Sequence, residues 1–306
     1  MIYLILAVVC GSLFSILFKL FQRHGVNTMQ AILYNYITGF LISVIPIINI
    51  LVEKNPEILD DCSLPAMGYL MGGVLGVIFM LGFIVMDRST WRCGVALTTV
   101  TARASLVIPI ILSWLWLSQP EPHWTAIIMV ITAMLMIIIP NRQEKHEIRK
   151  SSSDAVRNRK AAAALIGIFL VYGISDFLLK FAQNIITTSG TGNTVIQLKL
   201  LTACIFLMAA VTSFIICITT HAFSDGIKRK DFLSGMVLGL ANNLCTTFML
   251  LALGKMATGI FYPMYNVGIV LIATLTGLCF FREKIKIIQI FGILLALAAI
   301  VILVTD

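Results

Sequence analysis

Apolar residues in this chain come in blocks. Runs of about twenty hydrophobic positions alternate with short polar breaks along its whole length. Ten such spans can be drawn, at 2–21, 30–52, 65–86, 94–117, 123–140, 161–183, 194–218, 232–253, 257–281 and 286–304. Blocks of that length match the hydrocarbon thickness of a bilayer when coiled as α-helices. Helices are the expected solution because backbone groups facing lipid must bond to one another. The alternating segments of about ten residues that mark a membrane β-barrel are absent from the sequence. The pattern predicts an all-α integral membrane protein with ten transmembrane helices.

Composition agrees. Of 306 residues, 59% are hydrophobic and 12% charged, against about one quarter charged in soluble domains. A water-exposed fold has no means of hiding that much apolar surface, so lipid is the expected solvent. The opening run "MIYLILAVVCGSLFSILFKL" has no basic leading segment and no small-residue cleavage site. It reads as a retained helix rather than a signal peptide. The longest break, "NRQEKHEIRKSSSDAVRNRK" at 141–160, is charged and free of aromatics. It reads as a solvated linker between residues 1–140 and residues 161–306.

The net charge of +8 does not imply nucleic acid, because basic residues of membrane proteins mark the cytoplasmic side. Arg23, Arg88, Arg92, the basic residues of the linker, Lys228, Arg229, Lys230, Arg282 and Lys284 fall in alternate breaks, with Lys19 and Lys286 at the span ends that border them. The remaining breaks hold only Lys54 and Lys255. The expected protein is therefore multi-pass in the cell (inner) membrane, with both termini outside and the central linker cytoplasmic.

One phrase is written twice. "LFKLFQ" begins at Leu17 and "LLKFAQ" at Leu178, aligning Lys19 with Lys180 and Gln22 with Gln183. "GGVLG" at 72–76 then matches "GMVLG" at 235–239, and "CGVALTTV" at 93–100 lies opposite "TGIFYPMY" at 258–265. Three matches in order at a nearly constant offset indicate an internal repeat of five spans. Five is odd, so the second copy crosses the membrane in the opposite sense. Inverted repeats of this kind are characteristic of secondary transporters, which bind substrate near the midplane where the halves meet.

The closing run "LGKMATGIFYPMYNVGIVLIATLTGLCFFREKIKIIQIFGILLALAAIVIL" resembles the last two helices of EamA-type proteins in the drug/metabolite transporter superfamily. Small residues and midspan Pro263 precede an apolar run, then Glu283 and Lys284, then Gly292 early in the closing helix. Pro109 is a plausible counterpart in the first half, which offers Ser118 and Gln119 where the glutamate would fall. The resemblance implies two inverted five-helix repeats around a central cavity. It also implies transport of a small organic solute, without choosing which.

Ionisable groups inside spans cost at least a few kcal/mol each at the bilayer centre, so each needs a partner or a watery cavity. Arg103, in "TVTARASLVIP", lies near the middle of span four. It cannot readily shed its charge. It is expected either to hold an anionic or carbonyl group of the substrate, or to pair structurally with a carboxylate or helix carbonyls. Asp176 and Lys180 are four apart on span six and share a helix face. Asp176 is a candidate for proton coupling if burial disfavours its charge. A self-neutralising pair with Lys180, or a bridge to Arg103, is the structural alternative. Asn242 and Asn243 near the centre of span eight, with Tyr262, Tyr265 and Asn266 of span nine, offer substrate hydrogen bonds. The amides serve equally as glue between helices. Pro109 and Pro263 remove mid-helix donors and are candidate hinges, or simply tolerated kinks.

Other chemistries lack their motifs. There is no GxxxxGK[ST], no HExxH and no GxSxG. The seven cysteines form no CxxC, and the four histidines have no metal spacing. No catalytic residue, cofactor or metal is expected. A membrane-embedded transferase acting on lipid-linked substrates is the rival class, but it calls for clustered acids, histidines or serines on one face. A pore would show rings of like charge. The expected partners are a small-molecule substrate and the lipid bilayer, not nucleic acid, and the reading is compatible with a homodimer. The sequence is thus expected to encode a secondary transporter of a small polar or anionic organic metabolite, working by alternating access.

Overall fold

The computed structural model describes residues 1–52, 63–93, 95–137, 154–189, 193–224, 226–281 and 287–305. These form eleven helices and no strands among the described residues: α1 (Ile2–His24), α2 (Thr28–Val52), α3 (Ala66–Cys93), α4 (Val95–Ala104), α5 (Val107–Trp116), α6 (Trp124–Ile137), α7 (Asp154–Ser189), α8 (Thr194–Thr219), α9 (Arg229–Leu253), α10 (Thr258–Phe281) and α11 (Ile287–Thr305). Among the described residues, five stretches are long and apolar enough to cross a membrane: Thr28–Asn49, Ala66–Met86, Ala161–Ser189, Thr194–Thr219 and Arg229–Leu253. Five further apolar helices are shorter. The chain is therefore an all-helical, multi-pass membrane protein.

Several boundaries differ from the sequence pattern: α3 runs on to Cys93, past the expected end of span three, and two further differences have a local cause. Helix α7 starts at Asp154, inside the segment expected to be a solvated linker. "DAVRNRKAAAA" is rich in helix formers, so polarity set the membrane limit there but not the helix limit. Predicted span four is two helices, with Ser105 and Leu106 in a turn between α4 and α5. Pro109 has no N–H to give the Ser105 carbonyl. Ile108 donates to that carbonyl instead at 2.9 Å, and Leu106 donates to Arg103 O at 3.3 Å. Glu283, Lys284 and most of the linker lie outside the described residues.

Contacts gather the chain into two units, each drawing on both halves of the sequence. The first comprises Met1–Met80 and Leu178–Ala257. Here α2 packs against α8 and α9, and α1 against α9. Both glycine motifs permit these approaches. A Cβ on Gly239 would lie 2.5 Å from Asn35 O of α2, and one on Gly76 would lie 2.5 Å from Ile205 O of α8. Only glycine lets backbones come this near.

The α2 and α8 helices of this unit begin alike. Asn193 Oδ1 caps α8 by accepting from Val195 N–H at 3.0 Å, and Asn27 Oδ1 accepts from Gln30 N–H at 3.4 Å. Gln197 then reaches Ser63 O before α3, and Gln30 reaches Ala222 O and Gly226 O before α9. Sequence reading did not pair these residues.

The second unit comprises Leu81–Phe177 and Thr258–Asp306. Helix α11 packs on α6, and α10 touches α5, α6 and α11. The Ser89 and Thr98 hydroxyls share a buried hydrogen bond of 3.0 Å. Gly173 of α7 sits directly against Ile108 of α5.

Candidate substrate site

The second unit brings together most of the polar residues that the sequence singles out. Arg103 stands in the last turn of α4, immediately before the Ser105–Leu106 break. Its Nη1 donates to Asn266 Oδ1 of α10 at 3.1 Å. Asn266 Nδ2 in turn donates to Tyr262 O at 3.0 Å. The Tyr262 hydroxyl donates to the backbone carbonyl of Asp176 on α7 at 2.5 Å. A single run of hydrogen bonds therefore links α4, α10 and α7. Asn266 and Tyr262 are fully buried, which makes this run demanding, because unmet polar groups in such surroundings are costly.

Arg103 is left with unused donors. It is half-buried, and its Nε is enclosed with no hydrogen-bond partner. Among the described residues it pairs with no carboxylate. Asp176 lies within electrostatic reach of Arg103. Among the described residues its carboxylate accepts no hydrogen bond. The bridge between these two residues, one of the structural alternatives, is thus not formed.

Aromatic side chains of α10 and α7 cluster nearby. Phe261 stacks on Tyr265 with centroids 5.5 Å apart, and meets Tyr262 edge-on at 5.2 Å. Tyr172 is one helical turn before Asp176 on α7, within electrostatic reach of Arg103, and its hydroxyl donates to Met86 Sδ at 3.0 Å. Sequence reading missed Tyr172. Its four-residue spacing from Asp176 was the available signal.

The remaining candidates are engaged elsewhere. Asn242 and Asn243 belong to the first unit. Asn242 Nδ2 donates to Asn35 Oδ1 at 3.1 Å, and Asn243 Nδ2 donates to Gly39 O at 2.8 Å and to Ser43 Oγ. They join α9 to α2, as interhelical amides do. Lys180, 4% exposed, donates to Gln183 Oε1 at 3.0 Å and to Leu253 O at 2.6 Å. The second contact sets its charge against the C-terminal end of α9, where the helix dipole favours a cation. Pro109 sits just past a real interruption, whereas Pro263 lies inside continuous α10.

Comparison with known proteins adds a direction. Residues 202–296, from α8 into α11, match the family model of the small multidrug resistance proteins. The whole chain is similar to an uncharacterized protein of Haemophilus influenzae (strain ATCC 51907 / DSM 11121 / KW20 / Rd). The two are 24% identical over 97% of this chain and 95% of the relative. With the apolar helices, the family match points to a membrane transporter of small molecules.

Proposed function

We propose that this chain is a secondary transporter that moves a small polar or anionic organic metabolite by alternating access. The observation that carries this reading is the half-buried Arg103 guanidinium, which among the described residues is held by one amide and keeps its enclosed Nε without a partner. A guanidinium offers five donors in a fixed fork that suits carboxylate or phosphate oxygens. Asn266, Tyr262 and Tyr265 would supply neighbouring hydrogen bonds and ring faces, and Asp176 would exchange the proton that couples transport to a gradient. Asn242 and Asn243 would serve mainly to fix α9 on α2. The repeated phrases, and the matched starts of α2 and α8, support ten crossings arranged as two inverted five-helix repeats of the EamA type.

Purified protein in proteoliposomes tests the reading. Arg103→Ala is expected to lower uptake of the cognate solute by at least about a hundredfold, as when a bidentate charge contact is lost, while the melting temperature holds. Uptake near the wild-type rate would remove Arg103 from the site. A metabolite that stabilises the protein but emerges chemically altered would instead favour the transferase.

A further inference from the structure

The first unit holds a polar cleft built from residues distant along the chain from Arg103. It has a volume of about 320 Å³ and is lined by Gly25, Asn27, Gln30, Gly226, Lys228 and Asp231, among others. Its acidic wall is fixed. Asp231 is 1% exposed, and its Oδ1 accepts from Asn27 N–H at 3.0 Å. Gln30 is fully buried, and its Nε2 donates to Ala222 O and Gly226 O, each at 2.9 Å. Those two bonds settle the orientation of the amide, so Oε1 is the acceptor. That oxygen is enclosed and has no hydrogen-bond partner.

The other wall is cationic. Lys230 is spent on His24 O and Gly25 O, at 3.0 and 2.6 Å. Lys228 is exposed, and among the described residues its ammonium has no partner. It also stands at the N-cap of α9 without a side-chain cap, beside the Arg229 and Lys230 N–H groups, whereas Asp231 N–H bonds back to Lys228 O at 3.0 Å. Exposed Ile227, Phe232, Leu233 and Met236 flank this corner.

A simple ion fits poorly. A metal cation would suit Asp231 and Gln30 but meet Lys228, and an inorganic anion would do the reverse. We propose that this cleft binds the primary-amine headgroup of an aminophospholipid. The ammonium donates to Gln30 Oε1 and Asp231. The phosphate accepts from Lys228 and from the first turn of α9, where the helix dipole favours an anion. The neighbouring apolar side chains take the acyl chains. Basic pockets at helix ends are common places for headgroup recognition.

The test needs no knowledge of the transported solute, so its outcome is separate from the transporter reading. Full-length protein is exchanged into detergent containing equal dioleoyl phosphatidylethanolamine, phosphatidylcholine and phosphatidylglycerol, and retained lipid is read by native mass spectrometry. Phosphatidylethanolamine is expected to be retained about tenfold over phosphatidylcholine, whose trimethylated nitrogen has no N–H to donate. Lys228→Gln, at an exposed position, is expected to erase most of that retention without shifting the melting temperature. Equal retention of phosphatidylcholine, preference for phosphatidylglycerol, or undiminished retention by Lys228→Gln would each overturn the proposal. Soluble phosphoethanolamine stabilising the protein as well as the lipid does would overturn the assignment to lipid.

Discussion

At the scale of single residues, the balance around Arg103 explains why it should do chemistry. A charge at the centre of a spanning helix costs at least about 2.5 kcal/mol. One interhelical hydrogen bond in a membrane returns only about 0.6 kcal/mol on average. The Asn266 amide therefore leaves a deficit that an anionic oxygen of a ligand would offset. Asp176 is the natural complement, a carboxylate in reach of that charge but not bridged to it. Asp176→Asn is expected to abolish proton-driven accumulation in proteoliposomes while solute exchange continues. Accumulation that still follows the proton gradient would remove Asp176 from coupling. Arg103, Asn266 and Tyr262 were legible because polar side chains deep in apolar runs must face something polar. Asn242 and Asn243 satisfied the same rule through α2, because sequence depth does not say which way a helix turns. Tyr172 escaped notice because its signal was only a four-residue spacing from Asp176.

At the scale of elements, the apolar blocks located the helices well and their interruptions poorly. The α4–α5 break falls where Pro109 leaves the Ser105 carbonyl without its helical donor, a single-residue change that the hydrophobic pattern does not register. The glycine motifs were legible as contact points but not as pairings. "GGVLG" presents Gly72 and Gly76 to α8, whereas a methyl group at Gly73 would meet only Met208 Cγ, at 3.9 Å. Gly76→Ala is therefore expected to destabilise by about 1–3 kcal/mol, the usual penalty for overpacking. Gly73→Ala should be neutral or slightly stabilising, since alanine restricts the unfolded chain. Thermal melts of the two variants in one detergent compare them directly, and equal melting temperatures would contradict the packing described for α3.

At the scale of the whole molecule, the two sequence halves are not the two contact units. Each unit takes helices from both halves, and α3 and α7 contribute to both units. A linear reading can suggest repeats, because similarity runs along the chain, but it cannot see which segments pack together. Charge alone predicts an orientation, and that prediction is directly testable. With Cys62 replaced by serine, a cysteine at exposed Thr188 should react with a membrane-impermeant thiol reagent in intact cells. One at exposed Ile227 should react only after the membrane is opened. The reverse pattern would invert the topology. The interruption behind Arg103 has a mechanical consequence. Helix α4 is ten residues long, about 15 Å at the usual rise. Tilting it by about 10° around the Ser105 corner would swing its far end by about 2.6 Å, yet carry the Arg103 backbone only about 0.5 Å. Cargo gripped there would ride at the fulcrum, nearly stationary while the beam around it swings.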